Sequence, residues 1–153
     1  MATIPAALAV IGSAAYTGVL ITIGLSLGRY WSTIPPEDYA RQFDQLFEFL
    51  LPAIAVTLVP AVVGVAWSLR RGWPSPHRTV WLTAAAGLLV SLAITALYHV
   101  PANERIWSDT ITAAEIETER GRWLLWHAAR TVAGLTAAVA AFSATTRTGH
   151  RER

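Results

Sequence analysis

The chain contains no lysine and no cysteine. Without cysteine it can form no disulfide, bind no metal through thiolate and present no thiol nucleophile, and its redox compartment is left open. Without lysine all twelve fixed cations are arginines, spread along the chain. A net charge of +2 is too small and too dispersed for a nucleic-acid surface. Charge of either sign is scarce, since 14% of residues are charged where soluble domains carry about 25%. A glycine-rich phosphate loop, a nucleophile elbow and an HExxH helix are also missing. So are an arginine ladder of the voltage-sensor kind and a channel-filter motif.

Apolar residues are abundant, at 54% of the chain, and the mean hydropathy is +0.42. A membrane-spanning helix needs about 20 mostly apolar residues. Four stretches qualify, at about 5–27, 49–69, 80–100 and 123–144. The N-terminal stretch has no basic leader and exceeds the ~7–15 residues of a signal-peptide core, so it reads as a retained first span. The expected fold is all-α: one membrane domain over 1–153, an antiparallel four-helix bundle with a basic tail at 145–153. With one polar end, such a bundle fits inverted-repeat transporters poorly.

The connections predict orientation. Nine of the ten acidic residues lie in the first and third, between 28–48 and 101–122. The short second connection carries Arg70, Arg71 and Arg78, and the tail carries Arg147, Arg151 and Arg153. Arginine-rich flanks stay in the cytoplasm. Both termini are therefore expected inside a cytoplasmic (plasma) membrane, with the acidic connections outside. After Pro35-Pro36, Tyr39, Phe43, Leu46, Phe47 and Leu50 alternate with charge at helical spacing. This predicts a short interfacial helix running into the second span.

Small and hydroxyl residues recur at spacings of three and four on each span: Ser13, Thr17, Gly24 and Gly28; Thr57 and Gly64, with Pro60 as an expected kink; Ser91 and Thr95; Gly134 and Ala138. Such stripes are the usual helix–helix contacts in lipid. They leave a homo-oligomer open as well.

Packing does not explain Arg130. Seven residues beyond Trp123, it lies roughly 10 Å along the helix axis, where an arginine costs up to about 2.5–3.5 kcal/mol. His127 shares its face one turn earlier. His99 ends the third span, followed by Asn103, and Glu48 opens the second at the same level. All five are expected to meet at the outer end of the bundle. Trp123, Trp126 and Tyr98 would supply flat walls for a hydrophobic substrate. Two histidines and a carboxylate invite a metal, but their spacing is no known ligand motif and Arg130 opposes a cation. No cofactor is expected.

The run His99-Val-Pro101-Ala-Asn103, followed by Trp123-x-x-Trp126-His127-x-x-Arg130, resembles the anthrone-oxygenase-like family of small four-helix membrane proteins. That family has an asparagine soon after a proline at the end of its third span and W-x-x-W-N-x-x-R at the start of its fourth. His127 stands where the family commonly has asparagine. The resemblance implies oxygenation of polycyclic phenolic polyketides without metal or flavin. The expectation is a small membrane enzyme of natural-product biosynthesis acting on a polycyclic, polyketide or terpenoid substrate. Arg130 would stabilise an oxyanion, His127 or His99 would move the proton, and Asn103 would orient it. The same groups would also suit a cyclisation or isomerisation. The alternative is a non-catalytic subunit that assists an exporter or biosynthetic complex through the acidic third connection.

Overall fold

A computed structural model describes residues 3–71, 77–108 and 110–149, with side chains as far as 146. The basic tail residues Arg147, Arg151, Glu152 and Arg153, and Asp109 of the third connection, therefore lie outside the described side chains. Among the described residues there is no strand. Four long helices pack as an antiparallel bundle: α1 (Ile4–Trp31), α2 (Pro36–Arg71), α3 (Arg78–Trp107) and α4 (Ala113–Gly149). Each is long and apolar enough to cross a membrane. Large apolar side chains such as Ile11, Val56, Leu97, Leu125 and Val132 are exposed on the outside of the bundle, as suits a lipid-facing surface. The protein is an integral membrane protein.

The amphipathic stretch after Pro35 forms the first turns of α2 and is continuous with its spanning part. Pro36 stands at its start, and Glu37 and Asp38 face the positive end of the helix dipole. Arg70 and Arg71 lie in its last turn, where cations are favoured. Pro52 and Pro60 both lie inside α2.

α4 begins ten residues before the apolar run, and the reason is local. The Thr112 backbone N–H donates to Glu115 Oε2 at 2.8 Å, and the Glu115 N–H reaches back to Thr112 Oγ1 at 3.4 Å. This is a capping box. The acidic third connection is consequently mostly helix, not a free docking loop. Pro101 does not end α3 either. α3 continues through it to Trp107 without a break.

Two halves of the bundle differ in how they pack. In the half built from the start of α1, the end of α2, the start of α3 and the end of α4, the core is mainly alanine with a few larger side chains. Backbones touch there. A Cβ on Gly12 would lie 2.4 Å from the Ala61 nitrogen, one on Gly64 2.2 Å from the Ala9 nitrogen, and one on Gly87 2.7 Å from the Ala133 oxygen. The other half is packed with rings: Trp31, Tyr39, Phe43 and Trp123, with Ile23, Ala102, Ile106 and Ile116. In it α1 and α3 each carry a π turn, Ile23–Gly28 and Thr95–His99. Each π turn adds a residue to the helical register, and such turns often lie at functional sites.

Candidate functional site

The polar site lies in the aromatic half. On α4, Trp123, His127 and Arg130 share one face at spacings of four and three, and all three are buried. On α3, Thr95 and His99 bound the π turn and Asn103 follows one turn later. His99 and Asn103 are buried as well. The extra residue of the π turn sets the direction in which His99 leaves α3.

Hydrogen bonds fix most of these groups. His127 Nε2 lies 2.8 Å from the Leu20 carbonyl of α1, and a carbonyl can only accept. The proton is therefore on Nε2, and Nδ1 is left as an acceptor. Arg130 fills that acceptor from Nε at 3.2 Å and from Nη2 at 2.9 Å. Its Nη1 donates to Thr95 Oγ1 at 3.3 Å, and Thr95 passes its own proton to the Ser91 carbonyl at 2.9 Å. A guanidinium has five N–H groups, so two remain for a ligand. The Trp123 indole stacks on His127 at 5.0 Å and lies under the guanidinium at 5.6 Å, while its Nε1–H is held by Asn103 Oδ1 at 2.9 Å. Gly24 makes room for this arrangement, because a Cβ there would come within 3.2 Å of the His127 ring.

His99 is the exception. It is 1% exposed, its ring centroid is 4.9 Å from Trp123, and neither ring nitrogen has a hydrogen-bond partner. A buried, unpartnered imidazole is costly to maintain, by about 1–3 kcal/mol.

A cavity of about 150 Å³ runs between these groups. Arg130, His99, Thr95, Asn103 and Trp123 give it one polar wall, and Trp31, Phe43, Phe47, Leu50 and Ile54 line the apolar side. Leu51 of α2 and Val100 of α3 also line it, and each is about half exposed on the lipid-facing surface. The cavity thus approaches the outside between α2 and α3, neighbours that touch more sparsely than α1 with α2 or α3 with α4.

Of the residues singled out in the sequence, His99, Asn103, Trp123, His127 and Arg130 are brought together. Glu48 is not. It is exposed, because Phe43, Phe47 and Leu50 take the inner face of α2 and residue 48 points about 100° away from 47. Trp126 and Tyr98 pair with each other at 5.4 Å outside the cavity, and the Tyr98 hydroxyl donates to Glu119 at 2.7 Å. Sequence reasoning missed Trp31, Tyr39 and Phe43 as core rings, and missed Glu119 and Arg120 as buried groups. Arg120 donates to the Trp31 and Ile34 carbonyls at 2.6 and 2.8 Å and pairs with Glu117. Glu119 pairs with Arg105 at 3.2 Å. These bonds tie the ends of α1, α3 and α4 above the site. The capping box at Thr112 and Glu115 was the available signal that helix, not loop, continues there.

Among the described residues no cluster of three or more histidine, aspartate or glutamate side chains is placed to hold a metal. The polar wall offers one imidazole, a hydroxyl, an amide and a guanidinium, a donor set suited to an oxyanion and a mobile proton.

No curated protein and no solved structure matches the chain. A family model described as anthrone oxygenase matches residues 40–140, about two thirds of the chain. That match takes in α3, most of α2 and α4, and Thr95, His99, Asn103, Trp123 and Arg130 of the cavity wall, and the chain belongs to the anthrone oxygenase family.

Proposed function

We propose that this protein is a membrane oxygenase that inserts oxygen from O2 into a hydrophobic, polycyclic ketone or phenol carrying an acidic C–H. Family membership supports the class of reaction. The observation that carries the residue assignment is His99, the one histidine in the cavity wall with both nitrogens free of protein partners.

In this reading His99 is the general base. It takes a proton from the methylene carbon, and the charge moves to the conjugated oxygen. The two unused N–H groups of Arg130 receive that oxyanion, and stabilisation of developing charge in a water-poor site is commonly the largest catalytic contribution. The carbanion gives an electron pair to O2 in one-electron steps, and a C–O bond forms. The protonated His99 returns its proton to the peroxide. Loss of the second C–H proton, with O–O cleavage, releases water and leaves a carbonyl. The reaction balances: one methylene and one O2 are consumed, and one carbonyl and one water are formed. An electron-rich enolate reacts with O2 directly, so these residues suffice as acid, base and anion site. His127 is a positioning residue here, since its protonated nitrogen is held by Leu20 and its other nitrogen by Arg130. It fixes the guanidinium.

A cavity of about 150 Å³ is below the ~300 Å³ usual for a ligand of several rings. Substrate binding therefore requires α2 and α3 to part, which favours access from the bilayer past Leu51 and Val100. We also read both termini as cytoplasmic, on the basic second connection and the acidic first and third. A chain without cysteine permits a direct check. A cysteine at Gly72 should react only from the cytoplasmic side and one at Thr112 only from outside. Labelling of both from one side would refute the arrangement.

The functional test is oxygen uptake by protein in lipid nanodiscs supplied with anthrone. The expected result is one O2 consumed per new carbonyl formed, at a rate above the spontaneous reaction and lost in His99→Gln. Wild-type uptake no faster than in empty nanodiscs would refute the reading.

A further inference from the structure

Two polar side chains in the cavity wall lack a protein partner. One is His99, already assigned. The other is Trp31, at the end of α1. It is 1% exposed, it lines the cavity, and its indole nitrogen has no acceptor. An indole N–H can only donate, and a buried donor without a partner costs about 1–3 kcal/mol. Its neighbour provides a control. Trp123 meets Trp31 edge to face at 5.9 Å, lines the same cavity, and has its N–H satisfied by Asn103. Two tryptophans lining one cavity thus differ in their N–H groups: one is used by the fold and the other is not.

Trp31 is also held firmly. Its backbone carbonyl accepts from Arg120 Nη1 at 2.6 Å, and its ring packs on Tyr39 at 5.5 Å and Phe43 at 5.3 Å. The ring cannot easily turn its nitrogen toward water. The ring borders the cavity, so a ligand held there is the nearest source of an acceptor.

We infer that Trp31 is a second anchor for the substrate, its indole N–H donating to a neutral oxygen distinct from the oxyanion that Arg130 receives. The inference rests on the oxygenase reading and extends it, because it makes Trp31 a specificity-determining residue. Ligands with one oxygen satisfy Arg130 and leave Trp31 unpaired. Ligands with a further hydroxyl or carbonyl satisfy both, and the two contacts fix which edge of a flat ring system faces His99.

The experiment compares anthrone, which has one oxygen, with a dihydroxyanthrone carrying a phenol on each side of the carbonyl. Affinities are measured under argon in nanodiscs, so that no turnover intervenes. Trp31 is replaced by benzothienylalanine, which keeps the ring shape and lacks the N–H. The expected result is a loss of roughly fivefold, the usual size for one net hydrogen bond, in affinity for the dihydroxyanthrone, with anthrone changed less than twofold. Equal losses for both ligands, or no loss for either, overturn the inference. A second measurement reads binding on the wild-type protein: NMR with labelling at the indole nitrogens. The Trp31 signal, identified by its absence in Trp31→Phe, should move on adding the dihydroxyanthrone, and the Trp123 signal should move less. A Trp31 signal that stays in place while the compound binds overturns the Trp31 inference alone. Failure of wild-type protein to bind either compound overturns it together with the oxygenase reading.

Discussion

The two halves of this bundle solve opposite problems. In the alanine-rich half, Gly12, Gly64 and Gly87 let backbones touch. In the half with Trp31, Phe43 and Trp123, large rings hold the helices apart around a cavity. Lipid gives helices no hydrophobic reason to associate, so close packing of small residues must supply the cohesion. The tight half can then carry a loose one. Unpartnered His99 and Trp31 are each expensive, and they are sustained by contacts made mostly elsewhere. Stability and chemistry should therefore respond to different substitutions, and each half should be breakable alone.

The largest effect is expected in the tight half. Gly64→Leu would drive a side chain into the Ala9 backbone, where the Cβ alone would sit at 2.2 Å. Overpacking of this kind costs about 1–3 kcal/mol where neighbours can yield, and backbone cannot yield easily. Loss of the folded bundle in detergent is the expected outcome, read by size-exclusion chromatography and thermal unfolding. A stable Gly64→Leu protein would mean that this contact is not what holds α1 to α2.

Next in size is His99→Gln. Turnover per folded molecule should fall by about 10²–10⁴, the range for losing a general base. The unfolding midpoint should hold or rise, because no protein hydrogen bond is lost. A matching fall in stability and activity would assign His99 to the scaffold.

Arg130→Lys keeps the charge and removes the planar fork. A lysine cannot donate to His127 and Thr95 and still present two N–H groups to an oxyanion. Turnover should drop by about 10²-fold, as for loss of an oxyanion donor, and steady-state rates per folded molecule will show it. The smallest effect is expected for His127→Asn. Asparagine offers one acceptor and one amide donor, so Leu20 and Arg130 keep partners of the right kind. The change should be about fivefold in turnover, the worth of one net hydrogen bond. A loss as deep as that of His99→Gln would make His127 the base.

Much of this comparison could be read in the sequence. Four apolar runs gave the spans, and the spacing of Trp123, His127 and Arg130 placed them on one face because an α-helix returns every 3.6 residues. His99 and Asn103 were located from the end of the third run. The π turns at Ile23–Gly28 and Thr95–His99 were not legible, since they contain no proline and no distinctive polar pattern. The second decides which way His99 points, so its isolation from protein partners was invisible as well. Glu119 and Arg120 looked like loop residues because charge in a connection usually faces water. Their burial depends on Arg105, Glu117 and the Trp31 and Ile34 carbonyls, partners that only the tertiary fold assembles. Glu48 shows the reverse error: it lies at the right depth, but on the outer face of α2.

The central claim is that His99 removes a proton from a substrate whose charge Arg130 receives. Anaerobic hydrogen–deuterium exchange at the methylene carbon of anthrone isolates that step, because without O2 nothing follows it. Wild-type protein should accelerate exchange over empty nanodiscs, and His99→Gln should lose at least about a hundredfold of that acceleration. Exchange in His99→Gln equal to wild type, with oxygen uptake still protein-dependent, would contradict the account and place the base elsewhere in the cavity.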